Sequence, residues 1–132
     1  MDPVTGESKA IGNSHHLLQV VRDSNIIWSS QPGQPIIICT TDHEMKTRQR
    51  WQTAVDSIPA INALKLLYPN LWQHIYKKNS NSIFNTIGQI MGFVAPAHLL
   101  PTYAPGVNLV ISQDIINQYL YKLCPEKSIG DC

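Results

Sequence analysis

Catalysis or metal binding needs titratable groups that converge, and the densest such group in this chain is Asp42-His43-Glu44. Three consecutive residues at a helix start point in different directions, so they make poor joint ligands and read as a helix cap with solvated side chains. His15-His16 has no second ligand pair at a metal-binding spacing, and His98 stands alone in a proline-rich loop. His74 sits beside an apolar stripe and reads as a rim residue. Cys39, Cys124 and Cys132 form no Cys-x-x-Cys pair and are too scattered for a disulfide framework. They read as buried or idle thiols, with a bridge between Cys124 and Cys132 closing the tail as the alternative. No glycine-rich phosphate loop, nucleophile elbow or paired-carboxylate motif is present. The expectation is a protein that is not an enzyme, with no metal, cofactor or small-molecule substrate.

The remaining chemistry lies in the cations. Lys46, Arg48 and Arg50 alternate through a turn and a half, with Thr47, Gln49 and Gln52 among them and Trp51 directly after Arg50. Long cations mixed with amide and hydroxyl donors are the groups that contact phosphate oxygens. No base-reading motif accompanies them, so binding to nucleic acid would follow backbone shape and charge. The plainer reading is a solvated helix face, with Trp51 on a core stripe.

The formal net charge of +1 conceals a partition. Residues 1–45 carry a net −3, residues 46–78 a net +5, and residues 79–132 a net −1. Lys65, Lys77 and Lys78 complete the basic block, against which only Asp56 stands. From residue 79 to residue 113 there is no Asp, Glu, Lys or Arg at all. Such a stretch presents no ordinary charged surface and is expected to be covered by its own core, by other subunits or by something apolar.

These residues must be positioned by a chain of 132 residues, enough for one domain, in which 43% are hydrophobic and 14% charged. No apolar run approaches the roughly 20 residues of a membrane span. The first residues lack the basic and apolar regions of a signal peptide, so secretion by that route is not expected. Residues 1–42 read as an extended N-terminal arm that becomes ordered on assembly, or as a short hairpin pairing 25–28 with 35–39 across the turn signal at Pro32-Gly33.

Residues 43–123 read as a helical bundle, followed by a short tail over 124–132. Thr41 or Asp42 caps a first helix with Glu44 in its first turn and Trp51, Val55 and Ile58 on its core stripe, and Pro59 ends it or opens the next. Leu64, Leu67, Tyr68, Leu71, Trp72, Ile75 and Tyr76 form the clearest amphipathic stripe, broken at Tyr68-Pro69. Within it, Leu67-Tyr68-Pro69-Asn70-Leu71 matches a short motif by which some retroviral proteins recruit budding factors, but its apolar members are expected in the core.

Ser80-Asn81-Ser82 caps a helix whose face is Ile83, Phe84, Ile87, Ile90, Met91 and Val94, stopped at Ala95-Pro96. The long loop from 96 to 108 is a candidate interface segment. Ser112 caps a last helix, with Ile111 stapled onto Ile116 and Cys124-Pro125 as its stop. The expected fold is therefore all-α, a small four- to five-helix bundle with an extended arm.

This outline resembles the major coat proteins of filamentous archaeal viruses, the lipothrixvirus and rudivirus group. The matching features are the arm, then Arg48-Gln49-Arg50-Trp51-Gln52 at the start of the helical region, then two Asn- and Gln-bearing stretches, 82–94, which is uncharged, and 112–123. The resemblance implies wrapping of double-stranded DNA in a helical nucleocapsid. Arg48 and Arg50 would contact phosphates with help from Lys46, while Arg22 and Lys9 in the arm embrace the duplex. Lys65, Lys77 and Lys78 would join the same phosphate-binding set. It further implies further copies of the chain and a paralogous coat protein as partners in a heterodimer, a lipid envelope around the filament, and residence in the virion, with assembly in the host cytoplasm.

Overall fold

The structure, a computed structural model, describes residues 17–22, 32–33, 42–67, 78–93 and 104–125. Within these the protein is helical: α1 spans Glu44–Asn62, α2 Ser80–Ile90 and α3 Gln113–Leu123. The described residues contain no strand, only a single antiparallel bridge between Leu17 and Leu67. The expected hairpin over 25–28 and 35–39 lies outside the described residues, while Pro32 and Gly33 form the expected turn.

The three helices meet around Leu18, Ile61, Ile90, Ile111, Ile115 and Ile116. Each is buried beyond 90%, so this cluster is where most apolar surface leaves water. Leu18 belongs to the expected arm, yet it is part of the core. Its backbone N–H donates to the Leu66 carbonyl at 2.7 Å. Two residues on, Val20 exchanges two hydrogen bonds with the Asn62 side chain, at 2.8 and 2.9 Å. Residues 17–22 are thus docked along α1 rather than hanging free of the helical unit.

α1 departs from its expected face. Arg50, Ala54, Ser57 and Ile61, spaced at four, three and four, are the residues that turn inward. The expected stripe of Trp51, Val55 and Ile58 lies about a quarter turn away, and Trp51 is 54% exposed. Ser57 is accommodated because its hydroxyl donates to the Ala54 carbonyl at 2.7 Å. The expected cap differs too: His43 occupies the cap position without a side-chain bond, and Asp42 is used elsewhere.

Pro59 neither ends nor opens a helix but lies inside α1. It sits on the exposed side, where the carbonyl it cannot serve can be met by water, and burial of Ile61 draws the last turn onto the core. The helix ends instead at Asn62, with Ala63 as its C-cap, and the chain turns away at Lys65, whose φ of 49° is left-handed. Leu64 and Leu67 are therefore exposed, not members of a core stripe, and the rest of that expected stripe, 68–77, lies outside the described residues.

α2 begins at Asn79 rather than within Ser80-Asn81-Ser82. The Asn79 side-chain Oδ1 accepts from the N–H groups of Asn81 and Ser82 at 2.9 and 3.2 Å. The Ser82 hydroxyl accepts in turn from the Asn79 N–H at 3.0 Å, closing a capping box. The helix ends at Ile90 and the chain turns at Gly92, with φ 91°, before Ala95-Pro96 is reached.

A polar seam then binds α2 to residues 104–111. Asn79 donates to the Pro105 carbonyl at 3.0 Å, Ser82 to the Gly106 carbonyl at 2.8 Å and Asn85 to the Leu109 carbonyl at 3.1 Å. Thr86 accepts from the Ile111 N–H at 2.8 Å while donating to the Ser82 carbonyl at 2.7 Å. A loop with no ladder of its own needs such partners, because buried backbone groups must be paired. Residues 104–108, part of the loop read as an interface segment, are held against α2. At Gly106 (φ 80°) a Cβ would lie 2.7 Å from the Asn79 side chain, so only glycine fits. α3 follows expectation: the Ser112 hydroxyl accepts from the Ile115 N–H at 3.2 Å, and Ile111 and Ile116 are both in the core.

Candidate functional site

The basic block does not form one surface. Arg50 is 4% exposed, with its Nε donating to the Asp42 carboxylate at 2.5 Å and a second guanidinium nitrogen donating to the Met91 carbonyl at 2.6 Å. Its guanidinium carbon stands 5.6 Å from the centre of the Phe93 ring. Met91 is the C-cap of α2, whose last turn carries no basic residue of its own. Arg50 thus brings a positive charge from α1 to the negative end of the α2 dipole and fills an orphan carbonyl there. The expectation that Arg50 contacts phosphate is corrected: its face of α1 is the one the core occupies.

Two further cations are directed at protein atoms. Lys46 donates to Cys124 Sγ at 3.8 Å, and Lys78 donates to the Ile111 carbonyl at 2.9 Å. Cys124 is disulfide-bonded, which corrects the expectation of an idle thiol; its partner lies outside the described residues. Arg22, Arg48 and Lys65 are exposed. Arg48 pairs with Glu44 at 2.5 Å, but the two side chains are 78% and 79% exposed, so the bond is weak and the cation can change partner. Lys9 and Lys77 lie outside the described residues.

Asp42, His43 and Glu44 diverge as the spacing requires: one pairs with Arg50, one is exposed, and one pairs with Arg48. Among the described residues no group of three His, Cys, Asp or Glu side chains is placed to hold a metal ion. No helix there is long and apolar enough to cross a membrane.

No protein-family model, no curated protein and no solved structure matches this chain. The functional reading therefore rests on the geometry of the chain itself.

The site that sequence reasoning missed is an apolar groove of about 110 Å³ on the flank of α1. Trp51, Val55 and Ile58 form one wall, Val20 and Val21 the other, and Arg22 lies at its rim. Arg48 sits one turn before Trp51 on the same flank. The signal was present in two parts. One was the Leu17-to-Val21 apolar burst; the other was the offset between the Trp51 stripe and the Arg50, Ala54, Ser57, Ile61 series. Neither part alone shows which series faces the core.

Proposed function

We propose that the protein is a structural coat subunit that packs beside copies of itself and carries double-stranded DNA, without sequence preference, in a helical nucleocapsid. The observation that supports this most is the inversion on α1, where Arg50 and Ser57 are inside while Trp51 remains half-exposed in an apolar groove. Such a groove gives an apolar side chain of a neighbour a place to leave water. Arg22 lines the groove and Arg48 stands one turn before Trp51 on α1, so apolar packing and phosphate contact would run along neighbouring tracks. In this reading α1 to α3 are three of the four to five helices of the coat bundle. The wider partners are a paralogous subunit and a lipid envelope, and the place of action is the virion. The Cys124 disulfide fits that setting, since such bonds persist at virion surfaces and in other oxidising surroundings.

The test is electron microscopy of the purified protein mixed with linear duplex DNA, with regular filaments expected. If each subunit neutralises about three phosphates, raising salt from 50 to 500 mM weakens binding about 500-fold. Neutralising Arg22, Arg48 and Lys65 together should abolish most of the affinity, and neutralising Lys122, folded over the Tyr119 ring, should not. Binding that ignores salt, or no binding at all, refutes the DNA role.

A second reading, a small helical interaction module without nucleic acid, is favoured by the withdrawal of Arg50 into the interior. Self-association that proceeds identically with and without DNA would select it.

A further inference from the structure

The assembly reading above leaves open what fills the Trp51 groove, and two surfaces of this one chain match. The outer face of α3 carries Asp114, Gln118 and Tyr121 at spacings of four and three, so they share one side of the helix. All three are exposed, and Tyr121 is 66% exposed. Lys122, beside Tyr121 on the same helix, is turned aside, with its ammonium 4.7 Å from the Tyr119 ring centre. That face is therefore acidic and aromatic.

The flank of α1 is its complement, basic and apolar. Arg48 and Val55 are seven residues apart, as are Asp114 and Tyr121, and seven helical residues span about 10 Å. Laid parallel, a second chain's Tyr121 enters the groove beside Trp51 and Val55, while its Asp114 reaches Arg48 two turns away. Cavities of about 150 Å³ admit benzene, so a half-open groove of about 110 Å³ takes part of a phenol ring while its hydroxyl stays in water.

We infer that the groove on α1 docks the outer face of α3 from a second copy of this chain. Within one copy α1 and α3 pack against each other through their inner faces, so the α3 of the same copy does not fill this groove. The contact joins two different surfaces, which makes it heterologous: each copy offers one groove and one knob, and copies add head to tail without closing. A single junction of this size is well below a standard stable interface of about 1,600 Å², so each contact is weak and an array of them is needed for a lasting assembly.

The test uses the full chain, with sedimentation velocity over a concentration series and circular dichroism to check folding. Trp51→Ser and Tyr121→Ser are both at exposed positions, and each should weaken self-association at least tenfold. Mixed together, the two variants should form a one-to-one dimer and nothing larger, because one keeps an intact knob and the other an intact groove. Arg48→Glu should also block assembly, and adding Asp114→Lys to the same chain should restore it. Wild-type assembly that survives the Trp51 and Tyr121 substitutions, or a mixture that stays monomeric, overturns the groove assignment and leaves the assembly reading standing. Wild-type protein that remains monomeric at every concentration, with and without DNA, overturns both.

Discussion

Arg50→Met isolates the buried cation. The substitution keeps much of the stem and removes the guanidinium, so Asp42 and the Met91 carbonyl lose this donor. Removing one member of a buried ion pair costs about 3–5 kcal/mol. Asp42 is 24% exposed, so water recovers part of that loss and the expected cost lies at the low end, about 3 kcal/mol. Against a total stability of about 5–15 kcal/mol this is a large fraction. Urea unfolding followed by helical circular dichroism should show a lower midpoint with little change in slope.

Arg48→Met removes the same charge from a pair that is mostly in water and should cost under about 1 kcal/mol. Net-charge effects on folding are equal in the two variants, so the difference reports burial. Adding Asp42→Asn to Arg50→Met should return part of the loss, because the carboxylate that faced the guanidinium no longer carries a charge. DNA affinity, measured where both variants are folded, should fall for Arg48→Met and stay unchanged for Arg50→Met. A loss below 1 kcal/mol at Arg50, or equal losses at the two positions, refutes the inward placement.

Three other perturbations probe the seam and the tether. Gly106→Ala meets both a left-handed φ of 80° and the Asn79 side chain at 2.7 Å, so it should cost about 2 kcal/mol, from strain and a disturbed cap. Gly33→Ala, at the same φ with nothing within 4 Å, should cost about half that, which thermal unfolding can resolve. Thr86→Val leaves the buried Ile111 N–H without its acceptor and should lose about 1–3 kcal/mol in urea, while hydrogen exchange at Ile111 speeds up. Reducing the Cys124 disulfide should lower stability by about 2–4 kcal/mol, and Cys124→Ser should reproduce that loss and make reductant without further effect. Identical midpoints with and without reductant in the wild-type chain would contradict it.

How far each element could be read in advance follows the range of the interactions that set it. α3 was legible because all its signals are local: a Ser112 cap, an Ile111 and Ile116 pair, and a Cys124-Pro125 stop. The all-helical class was legible for the same reason. α1 was not, because its face is chosen by partners far along the chain. Met91 lies 41 residues from Arg50 and Val20 lies 42 from Asn62. Ranked by hydrophobicity, Trp51, Val55 and Ile58 win, yet the helix turned Arg50 and Ser57 inward because each had a hydrogen-bond partner waiting there. The charge-free stretch was legible as one covered in part by its own core, but the polar bonding inside it was not. Asn79, Ser82, Asn85 and Thr86 serve backbone carbonyl and N–H groups of residues 104–111 there, where a charge would be costly.

The same inversion ties stability to assembly. A helix that uses two of its four inward positions for Arg50 and Ser57 contributes less apolar burial to the core than its composition allows. The deficit is displaced to the flank, where Trp51 and Val21 meet water in the single chain. Any copy that covers them binds the folded state and not the unfolded one, and at a concentration 100 times its dissociation constant it adds about 2.7 kcal/mol. That nearly equals the expected loss from Arg50→Met. The destabilised variant should therefore unfold early when dilute and recover toward wild-type behaviour when concentrated, while a Trp51→Ser, Arg50→Met double variant gains nothing from concentration. If the groove docks a second copy as proposed, what α1 withholds from its own interior is returned by that copy.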